Sequence, residues 1–213
     1  MMVKRLWRVA LTLGLGLTLS TTSVAGQFQE GTHYKSVTDG LPSSEPGVIE
    51  FFSYACPHCY SLEPTLEGWV KSKPADVKFT RVPVIFRASW EVYAKAYFVG
   101  EALGILDKSH PILFHQIHNE NAPLKNDKQL KKFFEGIGVK GEDFDKTAGS
   151  FTVATKLNQA RQAMAKYKIA SVPSFIINEK YQTSLSLAKT PETLTQILSQ
   201  VPGDTVARFP LQP

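Results

Sequence analysis

The stretch that decides the fold is Val48-Ile49-Glu50-Phe51-Phe52-Ser53-Tyr54-Ala55-Cys56-Pro57-His58-Cys59-Tyr60. Residues 48–54 are short, mostly apolar and rich in β-branched and aromatic types, which predicts a buried strand. Cys56-Pro57 then predicts a helix start. Proline is tolerated at the first helical position, where its missing N–H would have had no partner. Leu62, Leu66, Trp69 and Val70 follow at helical spacing. A strand therefore runs through a tight turn into a helix, and two cysteines sit at the join.

Working outward, residues 77–85 (VKFTRVPVI) read as the next strand. From Ser89 to Tyr167 the pattern is helical throughout. One helix is expected over 90–106 and a second over 110–119. A third is expected over 127–137, with Leu130, Phe133, Phe134 and Ile137 on one face and Gly138 as its stop. A short piece lies near 142–147 and a long helix over 150–167. Strands return at 174–177 and 181–184, joined by a turn at Asn178-Glu179-Lys180. Thr190-Pro191 opens a last helix whose buried stripe is Leu194, Ile197, Leu198 and Val201. Residues 27–34 read as an extended arm and 41–47 as a turn cluster. Trp69, Trp90, Phe133 and Phe134 are assigned to the core, and His115 and His118 to ordinary helix surface. The order predicts an α/β core carrying a helical insertion.

The chain has 213 residues, 43% of them hydrophobic, which is enough for a core without a metal or disulfide staple. Residues 1–8 are basic, 9–19 are apolar, and Ser23-Val24-Ala25 supplies small residues. This is the layout of a secretory signal cleaved after Ala25. The apolar run is too short for a stable bilayer span. The formal charge of +5 includes Lys4, Arg5 and Arg8 of that leader; without them 21 bases face 19 acids, which gives no case for nucleic-acid binding. A secreted chain with paired cysteines belongs to an oxidising compartment.

Cys56 and Cys59 are the only cysteines. A bridge over so short a loop constrains little of the unfolded chain, about 2 kcal/mol on the loop-entropy model. A structural zinc site needs four ligands, and there is no further cysteine; His115 and His118 sit three apart on a helix, but a site joining them to the two cysteines would have to form across the helical block. Redox chemistry remains. A cysteine at a helix start lies beside unpaired N–H groups and the positive end of the helix dipole, both of which favour a thiolate. Cys56 is thus the expected nucleophile, Cys59 the resolving thiol, and His58 a further stabiliser of the thiolate.

The segment from Glu50 to Tyr60, with its Cys56-Pro57-His58-Cys59 tetrad, closely resembles the active-site segment of the DsbA family of periplasmic thiol:disulfide oxidases. The resemblance covers almost the whole chain after the leader. It implies a thioredoxin fold at 26–88 and 161–213, with an inserted helical domain at 89–160, after a signal at 1–25. It also implies that Val172-Pro173 is a cis-proline loop presenting the Val172 backbone to the dithiol and to a substrate strand. Pro173 taken alone would be a tolerated first strand residue with a trans bond. Glu50 would be an acid beneath the site that moves protons at the inner cysteine, and Arg81 its basic partner; taken alone, Glu50 would be an edge glutamate facing water. The implied activity is oxidation of reduced, unfolded secreted proteins in the periplasm. A DsbB-type quinone-linked membrane oxidase would restore the disulfide. No metal or bound cofactor is needed, and a monomer is expected. The rivals are an isomerase or reductase of the same fold, and a peptide-binding chaperone. Val172 in place of threonine before the proline, and the lack of room for a dimerisation domain, weigh against the first. The intact cysteines weigh against the second.

Overall fold

The computed structural model describes residues 27–37 and 47–200. The expected leader, its cleavage after Ala25, the turn cluster at 41–46 and Val201 lie outside these residues.

Strand β2 (Gly47–Phe52) forms where expected but stops two residues early, because the chain turns at Ser53 to reach the helix. It pairs in parallel with β3 (Lys78–Pro83), which places Glu50 opposite Arg81. On its other side it pairs antiparallel with β4 (Ser174–Ile177), which is joined in a hairpin to β5 (Tyr181–Ser184). A two-residue strand β1 (Lys35–Ser36), which the sequence reading left as extended arm, closes the far edge, giving the order β1-β5-β4-β2-β3.

Side chains alternate along β2, so Val48, Glu50 and Phe52 share one face while Ile49 and Phe51 share the other. Helix α1 (Pro57–Ser72) covers the first face through Leu62, Leu66 and Trp69, all buried. Helix α8 (Pro191–Gln200) joins the same core through Leu194, Ile197 and Leu198, and the Thr190 hydroxyl accepts from the Thr193 N–H at its start. Glu50 is therefore an acid in an otherwise apolar layer.

Between β3 and β4 lie α2 (Glu91–Ala102), α3 (Leu106–His118), α4 (Asp127–Gly136), α5 (Gly141–Ala148) and α6 (Phe151–Lys166). A single 3-10 turn at Ala88–Trp90 leads into them. The expected division of α2 from α3 is corrected. Gly104, at φ +69°, ends the first helix before residue 106, and α3 begins at Leu106, a turn ahead of Pro111. Gly104 was the signal for that helix end, since glycine at positive φ is a common helix stop. Gly100 lets α3 approach α2 closely: a Cβ there would stand 2.6 Å from Ser109 Oγ and 3.2 Å from Leu106 Cδ2. A four-residue helix α7 (Leu185–Ala188) follows β5 and was not foreseen. Among the described residues no helix is long and apolar enough to cross a membrane.

The β4–β5 turn departs from the glycine such turns favour. Asn178 and Glu179 have φ of +49° and +57°, and the Lys180 N–H donates to the Ile177 carbonyl at 3.1 Å. Positive φ at both central residues is what a type I′ turn requires. Glutamate there costs about 1–2 kcal/mol, while glycine's extra freedom when unfolded offsets about 0.5–1 kcal/mol. Glu179's ion pair to Lys166 is exposed and worth little. Glu179→Gly should therefore stabilise the fold by about 0.5 kcal/mol, seen as a higher Tm. An unchanged or lower Tm would show that the turn is relaxed as it stands.

Candidate active site

Cys56 is the N-cap of α1, and Pro57 takes the first helical position. The turn before it is tied locally. The Cys56 N–H donates to the Ser53 carbonyl at 3.0 Å, and the Ala55 N–H to Ser53 Oγ at 3.1 Å. This leaves Cys56 extended, at φ −98° and ψ 113°, with its sulfur over the helix end. The Cys59 N–H donates to Cys56 Sγ at 3.4 Å. Sulfur here fills the place that serine or aspartate oxygen takes in an ordinary cap.

Both thiols are free. The Cys59 thiol as donor is the largest influence on Cys56; the backbone N–H groups of Cys59 and His58 and the charge of His58 act the same way. Together they outweigh burial and bring the thiol down to about 6. Cys59, wholly buried, moves the other way. Burial pushes it far above the ordinary thiol range, and the Cys56 thiolate and the Glu50 charge add to that. His58 and Pro57 are exposed beside the pair. The Val172–Pro173 peptide bond is cis, and the Val172 carbonyl lies 3.5 Å from Cys56 Sγ, within reach of its S–H.

Beneath the dithiol is a buried charged cluster. Glu50 is fully buried, and Arg81 Nε donates to its Oε2 at 2.9 Å. Arg81 Nη2 also reaches Glu63 Oε2 at 3.3 Å and Glu67 Oε1 at 2.7 Å. One cation thus serves three carboxylates. Burial pushes Glu50 up to about 8 despite the pull of Arg81, and Glu63 up to about 7. Glu50 Oε1 and Glu63 Oε1 have no hydrogen-bond partner and are cut off from solvent. A neutral acid tolerates that position better than a carboxylate.

Helix α3 meets this cluster from the other side. His110 is buried among the rings of Phe52, Tyr54, Tyr97 and Phe114, and burial depresses it to about 3. Its Nδ1 pairs with the Tyr54 hydroxyl at 2.7 Å. Its Nε2 lies 3.3 Å from Glu63 Oε2, but without hydrogen-bond geometry, so the contact counts as close approach only. Among the described residues no group of three or more His, Cys, Asp or Glu side chains could hold a metal ion.

The model of the DSBA-like thioredoxin domain family matches residues 47–199. The chain belongs to this family. Among proteins named thiol:disulfide interchange protein DsbA, that of Burkholderia cepacia is 34% identical over 208 residues, 94% of this chain and 98% of that one. That of Pseudomonas syringae pv. tomato is 34% identical over 184 residues, 85% of this chain and 86% of that one. The crystal structure of Pseudomonas aeruginosa DsbA superposes with a TM-score of 0.74 at 31% identity, over 80% of this chain and 90% of that one. That of Proteus mirabilis DsbA gives 0.70 at 31% identity, over 82% and 94%. The architecture is thus the DsbA-like thioredoxin fold with its helical insertion.

Within this DsbA-like site the structure brings together Cys56, Cys59, Pro57, His58, Val172 and Pro173, with Glu50 and Arg81 directly below. Sequence reasoning missed Tyr54, Glu63, Glu67, His110 and His118. Glu63 had a signal, since it stands one turn after Cys59, at the i,i+4 spacing that shares a helix face. The histidines had none; they lie more than 50 residues from the turn they touch.

The shift at Cys56 has a pH signature. A depressed thiol stabilises the reduced fold fully above the unfolded value near 9 and loses that contribution as pH falls through about 6. Cys59, shifted upward, opposes this only above pH about 9, where an unfolded thiol would ionise. The Tm of the reduced protein minus that of the oxidised protein should rise from pH 5.5 to 8 and level off below about 5. A difference independent of pH would refute a stabilised Cys56 thiolate.

Proposed function

We propose that this chain is a periplasmic dithiol oxidase that passes a Cys56–Cys59 disulfide to newly secreted proteins. The observation that carries the reading is the opposed treatment of two thiols one turn apart. The outer sulfur is stabilised as a thiolate and the inner one is destabilised as one. A site that stabilises the thiolate of its reduced form has an oxidising disulfide.

A substrate thiolate attacks Cys56 Sγ at the helix end, the less buried of the two cysteines, 8% exposed against 0% for Cys59. The Cys56–Cys59 bond breaks, a substrate–Cys56 bond forms, and Cys59 leaves as a buried thiolate that takes up a proton. Glu50, held protonated through neutrality, supplies it, with Arg81 steadying the carboxylate left behind. A second substrate thiolate then attacks the substrate sulfur of the mixed disulfide. Cys56 departs as the stable thiolate. Two electrons have moved from substrate to enzyme. The two substrate thiol protons pass to solvent, Cys59 holds the proton that Glu50 gave up, Glu50 is reprotonated from solvent, and Cys56 remains a thiolate. A quinone-linked membrane oxidase of the DsbB type takes the electrons on. His58 keeps the Cys56 thiolate stable, and Pro57 starts the helix that caps it.

Val172 and Pro173 form the wall against which an extended substrate lies, with the Val172 backbone beside Cys56 Sγ. A DsbA of Proteus mirabilis has been crystallised with a non-covalently bound peptide, PWATCDS, which supports a cysteine-bearing peptide as the substrate class. The protein acts as a monomer. The proposed organisation is a signal at 1–25, a thioredoxin-like domain at 26–88 and 161–213, and a helical domain at 89–160. The packing of α6 supports the second boundary. Val153, Leu157 and Ala160 join the core of the helical block, whereas Ala163, Met164 and Tyr167 pack against the sheet.

Two variants separate the thiols. Cys59→Ala should accumulate mixed disulfides with a disulfide-bonded peptide, whose S–S bond the Cys56 thiolate opens with release of the peptide's other sulfur as thiolate, and Cys56→Ala should form none; equal trapping would sink the assignment. Glu50→Gln should remain folded yet reduce the rate at which the disulfide is consumed by about tenfold or more. Wild-type kinetics in that variant, followed by rapid mixing with a reduced peptide, would return Glu50 to a structural role.

A further inference from the structure

His118 sits in the last turn of α3. Its Nε2 lies 2.8 Å from the Tyr54 carbonyl oxygen. A carbonyl only accepts, so Nε2 must carry the hydrogen. The ring is stacked flat on Tyr60 of α1, at 4.9 Å between centroids and 7° between planes, which holds the imidazole in the orientation the bond needs.

Tyr54 is the first of the two central residues in the turn from Ser53 to Cys56, so its carbonyl belongs to the peptide plane that leads into Ala55. Rotating that plane would swing the Ala55 N–H away from Ser53 Oγ and alter how the chain enters Cys56. The same residue is gripped a second time, by His110 at its hydroxyl. Phe114 closes on its ring at 4.8 Å. His110, Phe114 and His118 are four residues apart and form one stripe of α3. The inserted helical block thus holds Tyr54 by its carbonyl, its ring and its hydroxyl, two residues before Cys56.

We propose that His118 is a positioning residue for the redox turn: its bond to the Tyr54 carbonyl fixes the Tyr54–Ala55 peptide plane and so keeps the Cys56 sulfur on the N terminus of α1. The inference rests on the reading of Cys56 as the attacking thiol. The groups that bear on the Cys56 charge are His58 and Cys59, both on α1; those that face His118 are Tyr54 and Tyr60.

The test compares three full-length proteins by ultraviolet titration of the Cys56 thiolate and by equilibrium of the dithiol with glutathione. His118→Leu removes the donor. His118→Gln keeps an amide N–H where Nε2 was. His118→Leu should raise the thiol's apparent pKa and make the disulfide less oxidising, moving the equilibrium constant by about three- to tenfold, while His118→Gln should stay within about twofold of wild type. A general loss of packing would move both variants alike. If His118→Leu matches wild type, or His118→Gln shifts as far as the leucine variant, the inference is overturned. Should the leucine variant not fold, ¹⁵N shifts of the wild-type imidazole decide: a hydrogen on Nε2 supports the bond, and a bare Nε2 overturns it. An ordinary Cys56 pKa in the wild-type protein would instead refute the oxidase reading itself.

Discussion

Much in this molecule depends on one weak hydrogen bond, from the Cys59 N–H to the Cys56 sulfur. It closes the first turn of α1 with a thiolate where helices usually place an oxygen. The helix end therefore gains most from that bond when the sulfur is charged. Fold stability and redox chemistry share this contact. An intact disulfide removes the charge from the cap, whereas the dithiol restores it. Electron uptake is thereby made favourable by the same helix that the sheet and the apolar face of α1 hold in place.

That arrangement needs an inner sulfur that is unwilling to stay charged, and burial provides it. Cys59 lies fully inside, above a layer in which Glu50 interrupts the apolar side of β2. Arg81 reaches Glu50 because the parallel register of β2 and β3 sets the two residues opposite one another. The cation is shared with Glu63 and Glu67, so it cannot fully neutralise any one of them. The result is a pair of buried acids raised toward neutrality beneath a thiol raised well beyond it. Protons can be held there at little charge expense, which suits a reaction that creates a thiolate in a dry site.

The helical insertion takes part in this economy. Close α2–α3 packing at Gly100 allows α3 to lie against the redox turn. From there it sends His110 to the Tyr54 hydroxyl and His118 to the Tyr54 carbonyl. The insertion is therefore a brace for the active site as well as a cover for the sheet.

The sequence alone determined what is local. The strand at residues 48–52, the proline-started helix, the paired cysteines and the returning hairpin all follow from patterns within a few residues, since β alternation, helical spacing and caps act over that range. Cys56 as the outer thiol was legible for the same reason: its cap position is a property of one turn. What crosses between elements was not legible. The meeting of Arg81 with three acids depends on strand register and on how α1 lies over the sheet. Whether Glu50 faces water or the core depends on β2 being central, with a strand on each side. In the sequence His118 looks like helix surface and His110 draws no notice, because nothing within four positions of either reveals the turn it grips. Only tertiary packing brings groups more than 50 residues apart within hydrogen-bond distance, and there the physical setting of the redox turn was decided.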